Sequence, residues 1–322
     1  MIPTTMQALV FSRSGQAQDV LSLEAIAVPK PAAGELLVQV EARPIHPSDL
    51  MFINNRYRIK PAFPQTAGLE GSGTVVAVGD GISMPLGTNV AFRHPGTWAE
   101  YVAVPIEKIH KVPGSVGSEK ACQFSLNPFT AWALISESNL KAGDWLAVNA
   151  ASSGIARLVH GLAKRKGIQV VGISRSSLKT PLPFPSVSME TEDLAATILK
   201  ITNGQHVAAL LDCVGGTAVT RVFAAMQSGA TIVSFGLMDT AIAQVGNADL
   251  IFRNLTWKGF GIDFWLAHTS TVLADMTDEI WKAVAKDELD LSVKARFKLA
   301  EFKTALQIMN VGGNTGKVLL VR

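Results

Sequence analysis

The spacing of apolar residues divides the chain into two regions with different predicted structures. In the first third, short runs such as ELLVQVEA (35–42) and GSGTVVAVGDG (71–81) mix β-branched and polar residues and end in turn-forming glycines. Runs of this kind are typical of strands that join through tight turns. The pattern therefore predicts an antiparallel, barrel-like β-domain at the start of the chain.

From about residue 120 onward the pattern alternates between helix and strand. The stretch 118–136 is periodic and predicts a helix, and helical segments also follow at 153–167, 189–204 and 216–229. The apolar runs between them predict strands, which are WLAVNA (145–150), IQVVGISR (168–175), VAALLDCV (207–214) and ATIVSFG (230–236). Such alternation implies right-handed βαβ crossovers and a parallel sheet.

The last part of the chain predicts a return to the first domain. Residues 293–321 are expected to form a strand, a helix, a turn and a final strand. We therefore expect one domain from residues 1–122 and 266–322, and a second domain from residues 123–265.

Composition limits the possible functions. The chain has 322 residues, 48% hydrophobic and 17% charged, with a net charge of +3. These values suit two globular domains and give no reason to expect nucleic acid as a partner. No apolar stretch of about 18 residues and no secretory signal pattern occur, so we expect a cytoplasmic protein without a membrane span. Cys122 and Cys213 are too few for a disulfide framework or a cysteine-bound zinc.

The segment LAVNAASSGIA (146–156) predicts a phosphate-binding turn. Ser152 and Ser153 suit the start of the helix that follows, where free N–H groups and the helix dipole favour an anion. Of the glycines expected in a dinucleotide-binding turn only Gly154 is present, although Ala151 and Ala156 are small. The alternative is an ordinary strand–helix connection that binds no ligand.

Arg175 suggests which nucleotide this turn would bind. It lies about 20 residues after the turn, where NAD-dependent proteins carry an acidic residue that binds the ribose. An arginine in that position instead accommodates a 2′-phosphate, so the pattern favours NADPH. The alternative is an arginine in a loop that contacts only solvent.

With these features, nearly the whole chain resembles the medium-chain dehydrogenase/reductase superfamily. The similarity is carried by HPSD (46–49), GLEGSGTVVAVGDGI (68–82), GTWAEYV (96–102), NPFTAW (127–132), NAASSGIA (149–156), DCVGG (212–216), SFGLM (234–238), LIFRNLTWKGF (250–260) and GKVLL (316–320). Within the superfamily the chain looks most like the zinc-free 2-enoyl thioester reductases, followed by the quinone reductases. The resemblance implies an α/β protein with a GroES-like β-barrel catalytic domain and a Rossmann domain built on a doubly wound parallel sheet.

The same resemblance implies chemistry without a metal. The positions that hold zinc ligands in the zinc-dependent alcohol dehydrogenases appear in this chain as His46, Leu69 and Leu126, and one possible ligand cannot make a catalytic zinc site. His46 would then either line the substrate pocket, touching substrate or nicotinamide, or be a packed core histidine.

The resemblance also assigns residues to the catalytic, substrate and cofactor sites. Tyr57 matches the catalytic tyrosine of the enoyl reductases, with a plain loop aromatic as the alternative. The substrate pocket is expected to involve His46, Trp132, Phe264 and Trp265. The residues expected at NADPH are Asn127, Thr130, Ser152, Ser153, Gly154, Ile155, Arg175, Ser176, Ser177, Phe235, Gly236, Leu237, Met238, Phe260, Gly261, Ile262, Asp263 and Lys317.

Three functions remain open from the sequence. The leading hypothesis is an NADPH-dependent reductase that transfers hydride to the carbon–carbon double bond of α,β-unsaturated thioesters. The alternatives are a reductase of quinones or free enones and a non-catalytic NADPH-binding protein. Because the strand LTWKGFGI (255–262) is expected at a sheet edge, where unpaired backbone groups favour pairing, we also expect a homodimer.

Overall fold

The computed structural model describes residues 1–310 and 316–322 and divides the chain into two compact units. The first unit comprises Met1–Leu126 and Leu291–Arg322, and the second comprises Asn127–Asp290. The turn expected within residues 311–315 lies outside the described residues.

The two units together contain sixteen strands and ten α-helices within the described residues, numbered in chain order. The strands are β1 (Thr5–Phe11), β2 (Ser22–Ala27), β3 (Glu35–Pro44), β4 (Gln65–Thr66), β5 (Glu70–Val78), β6 (Asn89–Arg93), β7 (Tyr101–Pro105), β8 (Ile109–Lys111), β9 (Trp145–Asn149), β10 (Gln169–Ser174), β11 (Ser186–Ser188), β12 (Val207–Asp212), β13 (Met226–Ser234), β14 (Thr256–Gly259), β15 (Val293–Phe297) and β16 (Lys317–Val321). The α-helices are α1 (Ala17–Val20), α2 (Pro47–Ile53), α3 (Ser118–Ala121), α4 (Asn127–Glu137), α5 (Gly154–Arg165), α6 (Leu194–Ile201), α7 (Asn247–Ile251), α8 (Ile262–His268), α9 (Leu273–Ala285) and α10 (Phe302–Asn310). No helix within the described ranges is both long and apolar enough to cross a membrane.

The first unit is built on two sheets that are mostly antiparallel. One sheet has the order β2-β1-β4, and the other runs β15-β16-β3-β5-β6-β8 with β7 also paired to β3. Strand β3 therefore has β5, β7 and β16 as partners, and most of its residues are buried. This arrangement confirms the antiparallel domain predicted from the alternating pattern, and it shows that the end of the chain does return to it.

The second unit contains a parallel six-stranded sheet in the order β11-β10-β9-β12-β13-β14. Numbered within the unit, this is the order 3-2-1-4-5-6 of a doubly wound dinucleotide-binding sheet. Its central strands are buried on both faces, which explains why they appear in the sequence as continuous apolar runs. The direction of winding reverses between β9 and β12, and ligands of such folds bind at the carboxyl ends of the strands beside this reversal.

Several local predictions differ from the structure. The helix expected over 118–136 is split into α3 and α4, because Pro128 lacks an N–H and fits only the first turn of α4. The segment 216–229 forms a 3₁₀-helix at Thr217–Ala225, and Met226 already begins strand β13. The helix expected over 189–204 is limited to α6, which begins after its N-cap Asp193.

The domain boundary expected at residue 265 also differs. Residues 266–290 belong to the second unit, because α9, in which Ile280 and Val284 are buried, packs against α4. The indole Nε1 of Trp132 on α4 donates a hydrogen bond of 2.6 Å to Glu279 Oε2 on α9. This helix pairing keeps the chain in the second unit for about one further helix beyond the expected boundary.

Candidate active site

The turn between β9 and α5 has the geometry of a helix N-terminus prepared for an anion. Ser153 is the N-cap, and its Oγ accepts a hydrogen bond of 3.2 Å from Ala156 N. Ala150 enters the turn with φ of 48°, a left-handed conformation in which an alanine is strained and a glycine is not. The first glycine of a dinucleotide-binding motif serves this tight turn, so Ala150 fills its conformational role at some energetic cost.

The start of α5 leaves room and hydrogen-bond donors for a phosphate. A Cβ atom added at Gly154 would meet no heavy atom within 4 Å, so protein packing alone does not require glycine there. Within the described residues, the N–H groups of Gly154 and Ile155 have no protein acceptor. Open space over two unpaired donors at the positive end of a helix fits a pyrophosphate.

A buried polar network fixes the carboxyl ends of β9 and β12 beside this turn. Asn149 Nδ2 donates to Asp212 Oδ1, and Cys213 N donates to Asn149 Oδ1 at 2.8 Å. Asp212 Oδ1 also accepts from the N–H of Gly215 at 2.9 Å, and Asp212 Oδ2 accepts from Ser234 Oγ at 2.8 Å. The carboxylate of Asp212 therefore joins three strands at the point where the winding reverses.

The residues predicted to bind the 2′-phosphate follow the neighbouring strand. Arg175, Ser176 and Ser177 are all exposed at the end of β10. The turn is attached to the same strand, since Ala151 N donates to Ile173 O at 3.1 Å. The structure thus places the exposed Arg175 after the strand that pairs with β9, the strand that leads into this turn, and its contact with a 2′-phosphate stays a prediction.

The segment Phe235–Met238 follows β13, which pairs with β12 in the sheet. A Cβ on Gly236 would lie 2.3 Å from Cys213 O, so only glycine fits at this close backbone approach. Leu237 and Met238 are exposed by 71% and 75%. Phe260 N donates to Ser234 O at 2.8 Å, which places the start of the 260–263 segment beside the same strand end.

The remaining cofactor residues predicted in this unit lie on helices. Asn127 and Thr130 are half-buried and one turn apart on α4, whereas Gly261 precedes α8 and Ile262 and Asp263 begin it. The contacts of these residues with a nucleotide stay a prediction.

The aromatic residues predicted for the substrate pocket have contacts within the second unit. Trp132 and Trp265 meet edge to face with ring centres 6.1 Å apart, and Trp265 Nε1 donates to Glu137 Oε1 at 2.8 Å. Phe264 is exposed by 67% and lies against His268. The two indoles therefore help to pack α4, α8 and α9, and their role in a substrate pocket stays a prediction.

In the first unit, His46 lies in a buried chain of polar side chains. Lys317 Nζ is 2.9 Å from His46 Nδ1, and His46 Nε2 is 2.7 Å from Glu70 Oε2. A lysine ammonium can only donate, so Nδ1 is the acceptor and Nε2 carries the hydrogen that is donated to Glu70. The structure therefore gives His46 a defined role as a bridge between a cation and a carboxylate.

Burial sets the charge state of this region. Burial, together with the positive charge of Lys317, lowers the pKa of His46 to about 4, so the imidazole is neutral at pH 7. Asp49 Oδ2 accepts from His46 N at 2.7 Å, and burial raises the pKa of its carboxyl to about 7. The neighbouring charge of Glu70 raises it further, whereas that of Lys317 lowers it.

Glu70 is the central residue of this network of buried polar groups. Besides His46, it receives hydrogen bonds at Oε1 from Ser125 Oγ at 3.0 Å and from Leu126 N at 2.7 Å. The three positions compared with zinc ligands therefore meet around Glu70, but Leu69 and Leu126 present apolar side chains. Across residues 1–310 and 316–322, no group of three or more His, Cys, Asp or Glu side chains is placed to hold a metal ion.

Contacts hold both the ring and the hydroxyl group of Tyr57. Its ring packs against the apolar cluster that includes Phe52 and Ile53, and its Oη accepts a hydrogen bond of 3.1 Å from Arg93 Nη2. Tyr57 is half-buried, between the exposed side chains of Arg56 and Arg58. This arrangement leaves the phenol hydrogen available for donation.

Sequence reasoning assigned no role to Glu70, Arg93 or Asp212. Glu70 and Asp212 lie inside the quoted segments GLEG and DCVGG, and a buried acid in an apolar surrounding was the available signal for both. Arg93 ends β6 opposite Glu70 in the antiparallel register, and nothing in the local sequence connects it with Tyr57.

The first unit carries the Tyr57 phenol and the buried polar chain around His46, and the second carries the open turn at the start of α5 on a sheet of the order 3-2-1-4-5-6. A sheet of this order beside a mostly antiparallel β-domain is the architecture of two-domain α/β enzymes.

Comparison with known proteins identifies the family. Residues 32–114 match the alcohol dehydrogenase GroES-like domain, and residues 187–320 match the zinc-binding dehydrogenase family. A mitochondrial enoyl-[acyl-carrier-protein] reductase of Caenorhabditis elegans is 29% identical, with 98% of this chain and 95% of the relative aligned. A Schizosaccharomyces pombe protein, provisionally described as a quinone oxidoreductase, is 27% identical over 91% of each chain.

A solved structure has the same fold over nearly the whole chain. The crystal structure of a Bacillus thuringiensis protein, provisionally described as an NADPH:quinone reductase, superposes with a TM-score of 0.89. It is 26% identical and covers 99% of this chain and 100% of its own. The chain belongs to the medium-chain dehydrogenase/reductase superfamily, which confirms the resemblance and the fold class predicted from sequence.

Proposed function

We propose that this oxidoreductase reduces the carbon–carbon double bond of α,β-unsaturated thioesters with NADPH. The observation that carries the proposal is the hydrogen bond by which Arg93 fixes the phenol of Tyr57 in the first unit. The resemblance compares Tyr57 with the catalytic tyrosine of the enoyl reductases. The enoyl reductase from Caenorhabditis elegans, aligned over nearly the whole chain, supports the same substrate class.

The second unit would hold the nucleotide. The N–H groups of Gly154 and Ile155 would bind the pyrophosphate at the start of α5, and Arg175 with Ser176 would bind the 2′-phosphate. When bound, NADPH supplies a hydride. The opening above Gly154 is the feature of this structure that fits such a ligand.

The first unit would supply the proton. Hydride addition at the β-carbon leaves an enolate on the thioester, and the α-carbon must then gain a proton. Tyr57 would donate it, so that its O–H bond breaks as the α C–H bond forms. The neighbouring guanidinium of Arg93 offsets the negative charge left on Tyr57 Oη.

A second candidate is the reduction of quinones or free enones. It is favoured by the Schizosaccharomyces pombe relative and by the Bacillus thuringiensis structure, through the activities named for those proteins. A hydroquinone exchanges its protons with water, so this reaction depends less on a positioned acid. Tyr57 would then only line the pocket.

Steady-state oxidation of NADPH with crotonyl-CoA and with a benzoquinone separates these functions. Tyr57→Phe should lower kcat for crotonyl-CoA by at least tenfold and should affect the quinone much less. Tyr101→Phe is the matched control, because Tyr101 Oη accepts from Gln39 Nε2 within the barrel and lies at 7% exposure. Turnover of the quinone alone would favour the second candidate, and NADPH binding without turnover of any acceptor would favour a non-catalytic protein.

We also propose a homodimer formed through β14. Within the described residues this strand pairs with β13 only, so its other edge has unpaired backbone groups. The preceding Ile251 and Phe252 are exposed by 69% and 83%, which adds an apolar surface beside the edge. The cytoplasmic location expected from sequence stays a prediction.

A further inference from the structure

We propose that Arg93 is a positioning residue that directs the proton of Tyr57 toward the substrate. This inference rests on the proposed function, because it assigns Arg93 a task in the proton-transfer step. Its basis is the hydrogen bond of 3.1 Å from Arg93 Nη2 to Tyr57 Oη.

The backbone of Arg93 belongs to a paired strand of the sheet. It is the last residue of β6 and stands opposite Glu70 in the antiparallel pairing of β5 and β6. The next residue, His94, continues this attachment by donating from its N–H to Leu69 O at 2.9 Å. Glu70 is itself held by His46, Ser125 and Leu126, so the backbone that carries Arg93 has little freedom to move.

Tyr57, in contrast, lies on the connection between α2 and β4, between exposed residues. Apolar packing holds its ring, but packing does not fix the direction of the O–H bond. Because the guanidinium donates to Tyr57 Oη, it occupies one acceptor direction of the oxygen, and the phenol hydrogen must point away from Arg93. The hydrogen bond from Arg93 therefore sets the direction in which Tyr57 can donate its proton.

The same contact acts after the proton has left. When the O–H bond of Tyr57 breaks, its electron pair stays on the oxygen, and the proton forms the new C–H bond at the α-carbon. The guanidinium is always charged and is already in place, so it stabilises the developing phenolate without rearrangement. Water then returns a proton to Tyr57. Hydride and proton together complete the reduction of the double bond, and NADP⁺ is the oxidised product.

A double-mutant cycle tests this inference. The variants are Arg93→Met, which keeps the length of the side chain and removes the charge, Arg93→Lys, Tyr57→Phe, and Arg93→Met combined with Tyr57→Phe. We expect Arg93→Met to lower kcat for crotonyl-CoA by at least tenfold, with the Kd for NADPH from fluorescence titration changed less than twofold. Arg93→Lys should recover part of the loss, and the double variant should be no slower than Tyr57→Phe alone.

The solvent deuterium isotope effect on kcat distinguishes positioning from a structural role. It should rise in Arg93→Met, because proton transfer becomes slower relative to the other steps, whereas damage to binding or folding would not raise it. Arg13→Met, the loss of an exposed arginine of the same unit, is the matched control and should match the wild type.

The outcomes separate this inference from the proposed function. A wild-type protein that does not turn over crotonyl-CoA overturns the function and the inference together. An active wild type with an equally active Arg93→Met overturns the inference alone. Losses that multiply in the double variant, or an unchanged isotope effect, also overturn it. If Arg93→Met does not fold, Arg93→Lys decides by the same cycle, and full additivity with Tyr57→Phe would contradict the inference.

Discussion

The neutral, buried His46 makes the stability of the first unit depend on pH. Its pKa is lowered from 6.5 to about 4, mainly by burial. Below pH 6.5 the unfolded chain takes up a proton at this histidine, whereas the folded protein does not until about pH 4. The stability that the neutral imidazole contributes is therefore fully present above pH 6.5 and is lost as the pH falls toward 4.

The size of this effect follows from the shift. One proton bound by the unfolded state changes the free energy of unfolding by about 1.36 kcal/mol for each pH unit. Between pH 6.5 and pH 5, His46 should therefore cost about 2 kcal/mol of stability. In the substitution His46→Asn, the side-chain oxygen can still accept from Lys317, but there is no titratable ring. The destabilisation by His46→Asn should accordingly be about 2 kcal/mol smaller at pH 5 than at pH 7.

Urea unfolding of both proteins, followed by circular dichroism at pH 7 and pH 5, measures this difference. Burial also lowers the pKa of His110 to about 4 and raises that of Asp49 to about 7, but both groups are present in both proteins, and their contributions cancel. His206→Asn removes an exposed histidine and controls for general effects of the substitution. If His46→Asn destabilises the protein equally at the two pH values, the reasoning from burial is wrong.

Three further predictions concern the second unit. Ala150→Gly should raise the free energy of unfolding by about 1 kcal/mol, because it removes left-handed strain, and an unchanged urea midpoint would contradict the strain. Arg175→Ala should weaken NADPH binding in fluorescence titration at least tenfold while leaving NADH binding nearly unchanged, and an equal loss for both nucleotides would exclude a 2′-phosphate contact. Phe252→Asp should convert a dimer into a monomer by light scattering at micromolar concentration, and a wild type that is already monomeric would contradict the dimer.

The sequence predicted best those helices and strands whose pattern depends only on nearby residues. The strands β9, β10 and β12 are buried on both faces, so each one appears as an apolar run that needs no knowledge of its partners. The start of α5 could be predicted for a similar reason, because Ser153 binds the N–H of Ala156 only three residues away. The 3₁₀-helix at Thr217–Ala225 was missed because buried residues three apart, such as Val219 and Val222, also fit a single turn of an α-helix.

The contacts of the candidate site could not be predicted because they join distant parts of the chain. His46 and Glu70 are 24 residues apart, His46 and Lys317 are 271 apart, and Tyr57 and Arg93 are 36 apart. Each pair depends on which strands become neighbours, and no local pattern contains that information. The resemblance placed Tyr57 and Lys317 in functional roles but gave neither of them its partner.

The contacts of Glu70 explain how the first unit can keep a buried carboxylate. An isolated buried charge is costly, and its cost falls only when hydrogen bonds replace the lost water. Here one bond comes from an imidazole, one from the hydroxyl of Ser125 and one from the main chain of Leu126. The bond from Leu126 does not depend on its side chain, so an apolar residue at that position still supports the charge. His46 is different, because only a side chain that donates to Glu70 and accepts from Lys317 can connect the two charges. His46 is therefore a core histidine, exposed by only 1%, that bridges the ionic chain, and its contact with substrate or nicotinamide stays a prediction.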